Sequence, residues 1–193
     1  VLHCMENTGQ SCNAPTRMLV ERSVYDDVVA KAAEIASSIA VGPTTQEGRH
    51  IGPVVNKKQW NQIQKMIETG ISEGARLVAG GPGLPEGVNR GYYVRPTVFA
   101  DVSNDMAIAQ QEIFGPVLSI IPFEDEADVI AKSNDNEYGL ACGIWSKDHP
   151  KCWRVARAIK AGTVWVVNVS TSMNMFSNCS SFSSSASPKP KPP

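Results

Sequence analysis

Asn7-Thr-Gly-Gln-Ser-Cys-Asn-Ala-Pro-Thr-Arg-Met-Leu-Val20 contains the transition that decides how this chain folds. Its first half is polar and can bend sharply at Gly9. Its second half leads into a short apolar run over 17–21 suited to a buried strand. Ser23 then stands where a helix cap belongs, and Val24, Val28, Ala32, Ile35 and Ile39 fall on one helical face. Gly42-Pro43 stops that helix. Asn56 opens a second helix, with Trp60, Ile63, Ile67 and Ile71 at helical spacing, and Gly74 closes it. The pattern predicts strands over 76–79, 94–99 and 117–123, a helix over 126–133, a strand over 140–145, a helix over 151–160 and a last strand over 163–167. Strands alternating with helices predict an α/β layer structure with a mostly parallel sheet.

The 193 residues are enough for one domain with a real core. The net charge of −1 and the lack of a basic stripe interleaved with aromatics exclude a nucleic-acid or anionic-membrane partner. No apolar run reaches the ~20 residues of a membrane span, and Val1-Leu-His-Cys4 does not begin a signal peptide. Cys4, Cys12, Cys142, Cys152 and Cys179 form an odd set without C-x-x-C spacing, which argues against a disulfide framework or a structural zinc site. A reducing, cytoplasmic compartment is the expectation. The sequons Asn168-Val-Ser170 and Asn178-Cys-Ser180 are read as chance matches.

Two segments carry chemistry. A cysteine in a soluble protein is most often a small buried hydrophobe. Cys12 follows a flexible glycine and the polar Gln10 and Ser11, so it reads instead as a thiolate near a turn, where backbone N–H groups can stabilise charge. About a hundred residues later comes Glu112-Ile-Phe-Gly-Pro-Val117. A carboxylate such as Glu112 is a good acceptor for a pair of ribose hydroxyls, and a ring such as Phe114 can lie against a nicotinamide. Taken alone, Glu112 would be a surface carboxylate and Phe114 a core ring. Gly80-Gly-Pro-Gly-Leu-Pro-Glu-Gly87 lacks G-x-G-x-x-G spacing, and its prolines prevent a following helix, so it reads as a surface turn. His3, His50 and His149 are scattered, and 134–136 reads as a helix-ending turn, not a metal site.

The order and spacing of Asn7–Cys12 and Glu112–Val117 resemble the signatures of the catalytic domain in NAD(P)-dependent aldehyde dehydrogenases. Arg17-Met-Leu-Val20, Gly52-Pro-Val54, Gly91-Tyr-Tyr-Val-Arg-Pro-Thr97, Asn136-Glu-Tyr-Gly-Leu140 and Ala161-Gly-Thr-Val-Trp165 extend the resemblance to about Val167. It implies a three-layer α/β catalytic domain, truncated here, that oxidises an aldehyde to a carboxylic acid with NAD or NADP. Cys12 would be the nucleophile, passing through a thiohemiacetal and a thioester. Glu112 and Phe114 would hold the nicotinamide end, and Gln59 would reach the other ribose. The family is usually homo-oligomeric.

The resemblance also implies that most of the dinucleotide-binding half precedes the cysteine. The chain is therefore expected to be a piece of a longer polypeptide, without the lysine and helix start for the adenosine and pyrophosphate. The asparagine of the oxyanion site and the glutamate that activates water are missing on the same reading. An oxyanion donor is worth ~10²–10³ in rate and a general base ~10²–10⁴, so the chain alone is expected to be inactive. Two alternatives stay open. One is a non-catalytic fragment that acts as a folded or partner-binding module; the other is a cysteine hydrolase or transferase, which needs a histidine base. Residues 1–168 are read as the partial domain. Residues 169–193, about half serine over 170–187 and ending in Pro188-Lys-Pro-Lys-Pro-Pro193, are read as a tail without fixed structure. The abrupt change there is read as a truncated or misjoined frame.

Overall fold

The computed structural model describes residues 1–168 and 179–183. The chain divides into two compact units, one of Val1–Asp125 and one beginning at Glu126.

The first unit contains helix α1 (Leu2–Met5), strand β1 (Arg17–Glu21), helices α2 (Tyr25–Ser38) and α3 (Lys57–Ser72), strands β2 (Arg76–Ala79) and β3 (Thr97–Ala100), helix α4 (Ala107–Gln110) and strand β4 (Val117–Phe123). The sheet order is β1-β4-β3-β2. Strands β1 and β3 run parallel to β4, and β2 closes the edge antiparallel to β3. Val117 to Ile121 are all buried, the near-continuous apolar run of a strand covered on both faces. Alternate residues part to opposite sides. Phe99, Val117 and Ile121 pack with Ile63, Met66 and Ile67 of α3 and Ile108 of α4. Val98, Ala100, Leu118 and Ile120 pack with Cys4 and Met5 of α1 and with Tyr25, Val29, Ala32 and Ala36 of α2. A sheet with helices on both faces is the three-layer α/β arrangement that was expected. Each fully buried Val, Ile or Phe contributes about 1.5–3 kcal/mol.

Several boundaries differ from the sequence expectation. Helix α2 begins at Tyr25 after a 3₁₀ turn over Arg22–Val24, and Ser23 makes no capping bond. Its buried face is Tyr25, Val29, Ala32 and Ala36, one residue round from the predicted stripe, and Val24 is exposed. Tyr25 decides the rotation: its hydroxyl donates to the Ile120 carbonyl at 3.2 Å and accepts from the Asp101 amide at 2.6 Å. Helix α3 has its Asn56 cap, which accepts from the Gln59 amide. Ile71 is nevertheless exposed, and Gly70 takes the inward place where the Ile108 side chain would lie 2.9 Å from an added Cβ. Strand β3 starts at Thr97, because Pro96 has no N–H to give the ladder. Helix α4 is too short to show a period in the sequence. The glycine-rich stretch has Gly80, Gly81, Gly83 and Gly87 at positive φ and leads into no helix.

The second unit contains α5 (Glu126–Asn134), β5 (Ala141–Ser146), α6 (His149–Ala158), β6 (Thr163–Asn168) and β7 (Cys179–Ser183). Strands β5 and β6 are parallel, and β7 pairs antiparallel to β6. Asp148 caps α6 by accepting from the Lys151 amide, and Pro150 fits the first turn, so α6 begins two residues before the predicted start. Glu126 of α5 accepts two bonds from Arg154 of α6, at 2.9 and 2.8 Å. Asn134 binds the far end of α6, donating to the Ala158 carbonyl and accepting from the Lys160 amide.

The composition change at Asn168 falls inside this unit. Cys179–Ser183, within the segment read as lacking fixed structure, forms a strand. A ladder joins backbone N–H and C=O groups, so it can form without an apolar side-chain period. Residues 169–178 and 184–193, including the proline-rich end, lie outside the described residues. Among the described residues no helix is long and apolar enough to cross a membrane.

Candidate functional site

The parallel pairing of β1 with β4 places Arg17 opposite Ser119 and Met18 opposite Ile120. The segments that lead into those strands, 7–16 and 111–116, therefore meet at the amino ends of the same two strands. Open α/β sheets more often take ligands at the carboxyl ends. The Ser119 amide donates to the Thr16 carbonyl at 2.8 Å and fixes the junction.

The Cys12 segment is built on a left-handed bend. Asn7, Thr8 and Gly9 have φ of 51°, 56° and 70°. Two non-glycine residues in that region carry a cost that their surroundings must offset. Thr8 is buried, and its hydroxyl donates to the Gly52 carbonyl at 3.0 Å. The Gln10 amide donates to the Asn7 carbonyl, and the Gln10 side-chain oxygen accepts from the Val55 amide at 2.9 Å. These bonds tie the bend to the Gly52-Pro-Val54 stretch. Cys12 follows the bend and is exposed.

The other thiols differ. Cys4 is fully buried, its sulfur lies 3.7 Å from the Val117 carbonyl, and burial pushes its thiol up to about 12. Burial also raises the Cys152 thiol.

Gly9 meets the second signature directly. A Cβ on Gly9 would overlap the Gly115 carbonyl, and Pro116 N would lie 2.8 Å away. A Cβ on Gly115 would lie 2.7 Å from the Ile63 side chain of α3. The two glycines thus allow the cysteine bend, the 112–116 loop and α3 to stack without side chains between them. Within that loop Glu112 is exposed and Ile113 buried. Phe114 stands partly exposed at φ 48°. Gln59 points its side-chain amide at the loop, donating to the carbonyls of Ile113 and Phe114 at 2.9 Å each. Cys12, Glu112, Phe114 and Gln59 thus sit on two loops and one helix start that pack together. The sequence did not reveal the Thr8 and Gln10 anchors or the Gly9–Gly115 contact.

The histidines of this unit have other partners. His3 pairs with Glu6 at 3.0 Å, and a ring nitrogen of His50 lies 3.0 Å from the Pro43 carbonyl. In the second unit His149 accepts from the Trp153 indole at 3.0 Å. Among the described residues no three His, Cys, Asp or Glu side chains gather as a metal site requires.

Comparison with known proteins names the class to which this α/β layer, with its cysteine turn stacked on an acidic–aromatic loop, belongs. The chain belongs to the aldehyde dehydrogenase family, whose model matches residues 1–179. That match continues past the composition change at Asn168. The crystal structure of aldehyde dehydrogenase from Bartonella henselae is similar with a TM-score of 0.82 and 50% identity, covering 94% of this chain and 38% of that one. A C→A variant of aldehyde dehydrogenase C from Pseudomonas syringae, complexed with NAD+ and octanal, has a TM-score of 0.82 and 40% identity, covering 94% and 37%. A Staphylococcus saprophyticus protein named for the same family is 48% identical over 158 residues, 82% of this chain and 33% of its own length. The chain thus spans about a third of the length of the curated relatives it matches.

Proposed function

We propose that the protein to which this chain corresponds oxidises an aldehyde to a carboxylic acid with NAD or NADP, and that Cys12 is its nucleophile. The observation that carries this reading is the contact of Gly9 with Gly115, which stacks the Cys12 turn on the Glu112–Phe114 loop. Family membership and the Pseudomonas syringae complex with NAD+ and octanal support the substrate class.

The residues at the site fit the nicotinamide end of such a cofactor. Glu112 offers an exposed carboxylate to the nicotinamide ribose hydroxyls and Phe114 a partly exposed ring, while the side-chain oxygen of Gln59 is read as an acceptor for the other ribose. A bound nicotinamide supplies a hydride acceptor. Cys12, as thiolate, attacks the aldehyde carbonyl carbon; a C–S bond forms and the carbonyl electron pair moves to oxygen. Backbone N–H groups of the turn are the local donors for that oxyanion. With the carbonyl hydrogen passing as hydride to that acceptor, the acyl group would be held on Cys12 as a thioester until water releases the acid.

No histidine or carboxylate among the described residues makes a hydrogen bond to Cys12. The glycine-rich stretch offers no helix start for a pyrophosphate. We therefore propose that the 193-residue chain by itself does not turn over aldehydes. Its free thiols fit a reducing, cytoplasmic setting.

An NADH-formation assay with a panel of aliphatic and aromatic aldehydes tests both statements. The isolated chain should give no turnover, and a full-length relative should lose turnover when the cysteine equivalent to Cys12 becomes alanine. Retained turnover in that variant would remove Cys12 from the mechanism. Cofactor-independent hydrolysis of an activated ester by the isolated chain, lost in His50→Ala, would support the hydrolase reading instead. Activity of the isolated chain that Cys12→Ala abolishes would show it to be an enzyme in its own right.

A further inference from the structure

We infer that Gln59 is a positioning residue, whose side-chain amide holds the 112–115 loop in the conformation that presents Glu112 and Phe114. This rests on the nicotinamide reading of that loop. Phe114 has φ 48°, a backbone region that a bulky L-residue leaves unless its neighbours hold it there. The Ile113 and Phe114 carbonyls flank its backbone amide. The Gln59 side-chain amide has two N–H groups, and its nitrogen lies 2.9 Å from each of the Ile113 and Phe114 carbonyls. Gln59 is itself fixed, because its backbone amide donates to the Asn56 cap at 2.9 Å, in the first turn of α3.

The other side of the loop is closed by packing: Ile113 is buried, and Gly115 abuts Ile63 and Gly9. The loop is thus held by apolar contact on one side and by one amide on the other. With both donors directed at carbonyls, only the side-chain oxygen of Gln59 remains to meet a ribose hydroxyl. Its first role is mechanical.

Two substitutions separate donor from acceptor. Gln59→Glu keeps an acceptor and removes both donors; Gln59→Lys keeps donors and removes the acceptor. Amide hydrogen exchange, followed by mass spectrometry on the full 193-residue chain, reads the loop directly. In Gln59→Glu, exchange over 112–115 should rise about tenfold, while the interior of α3 and strand β4 stay unchanged. In Gln59→Lys the loop should stay within about twofold of the parent. Should Gln59→Glu lose its fold, Gln59→Met, which also lacks donors but adds no charge, replaces it. Parent-like loop exchange in the donor-free variants would overturn the inference, as would equal loosening in Gln59→Lys.

Titration with nicotinamide mononucleotide, followed by NMR, gives a readout that loop packing alone would not move. A positioning Gln59 predicts weaker binding in Gln59→Glu and retained binding in Gln59→Lys. The reverse pattern would make Gln59 a direct ligand of the mononucleotide and overturn the inference. If the parent chain does not bind the mononucleotide, the cofactor reading fails, and the exchange comparison still decides whether Gln59 holds the loop.

Discussion

Gly9 shows how much can depend on one absent side chain. Its φ of 70° and its overlap with Gly115 both forbid a Cβ. Gly87 has a similar φ of 75° but nothing within 4 Å of an added Cβ, so it serves as a matched control. Gly87→Ala should cost about 1–2 kcal/mol, from handedness alone. Gly9→Ala adds a clash with backbone and should cost about 1–3 kcal/mol more, read from urea unfolding of the two variants. Equal costs would mean that the two signature loops do not touch.

The thiols give a second residue-scale test. Cys12 is exposed, whereas burial holds the Cys4 thiol near 12 and raises that of Cys152. Iodoacetamide at neutral pH should therefore label Cys12 before Cys4 and Cys152, as mapped by mass spectrometry. The sign of the pH dependence follows from the same burial. A thiol whose folded value lies above its unfolded value stays protonated in the fold while the unfolded chain loses the proton. Its stabilisation is complete below about pH 9 and declines as pH rises toward 12, by about 1.4 kcal/mol per pH unit. Urea midpoints measured from pH 8 to 10.5 should fall, and Cys4→Ala should flatten the slope whatever it does to the absolute value. Tyr25, raised chiefly by burial, adds a fall of the same sign.

At the scale of elements, periodicity located nearly every helix and strand but misplaced part of the inward face in two helices. In helix α3 the predicted face holds at Ile63 and Ile67 and fails at its end. Ile67 and Ile71 are both spaced for the core, yet Ile67 is fully buried and Ile71 is 43% exposed. Gly70 occupies the inward place, and Ile108 and Phe99 fill it. Ile67→Ala should cost about 2–5 kcal/mol and Ile71→Ala less than about 1 kcal/mol, by thermal or urea unfolding. A similar cost for both would restore the predicted stripe. Helix α2 is rotated for a related reason: an internal hydroxyl on Tyr25 finds two distant backbone partners, one on β4 and one just past β3, and no local pattern announces them.

Over the whole molecule, burial is unevenly distributed. Strand β4 has neighbours on both edges, and its first five residues are buried. Helix α5 has no buried residue, and its Glu126 pairs with Arg154 through one partly exposed and one exposed side chain, where ion pairs contribute little. Native-state amide exchange should therefore be slowest in β4 and fast in α5. Protection of α5 equal to that of β4 would contradict this picture. The family match covers residues 1–179, and the chain spans about a third of the length of the curated relatives it matches.

The sequence by itself determined the α/β class and the alternation of elements, and it marked the two segments of the candidate site, because periodicity, caps and glycine turns are local properties of neighbouring residues. It also singled out Cys12, Glu112, Phe114 and Gln59, from residue chemistry and from family resemblance. Only the tertiary structure decided how they stand together. The parallel register of Arg17 with Ser119 joins segments about a hundred residues apart, and the Gly9–Gly115 contact and the aim of the Gln59 amide follow from it. The same holds for the burial that separates Cys4 from Cys12. Those features depend on strand pairing and on side chains meeting across layers, and contacts between distant segments leave no periodic trace in either segment alone.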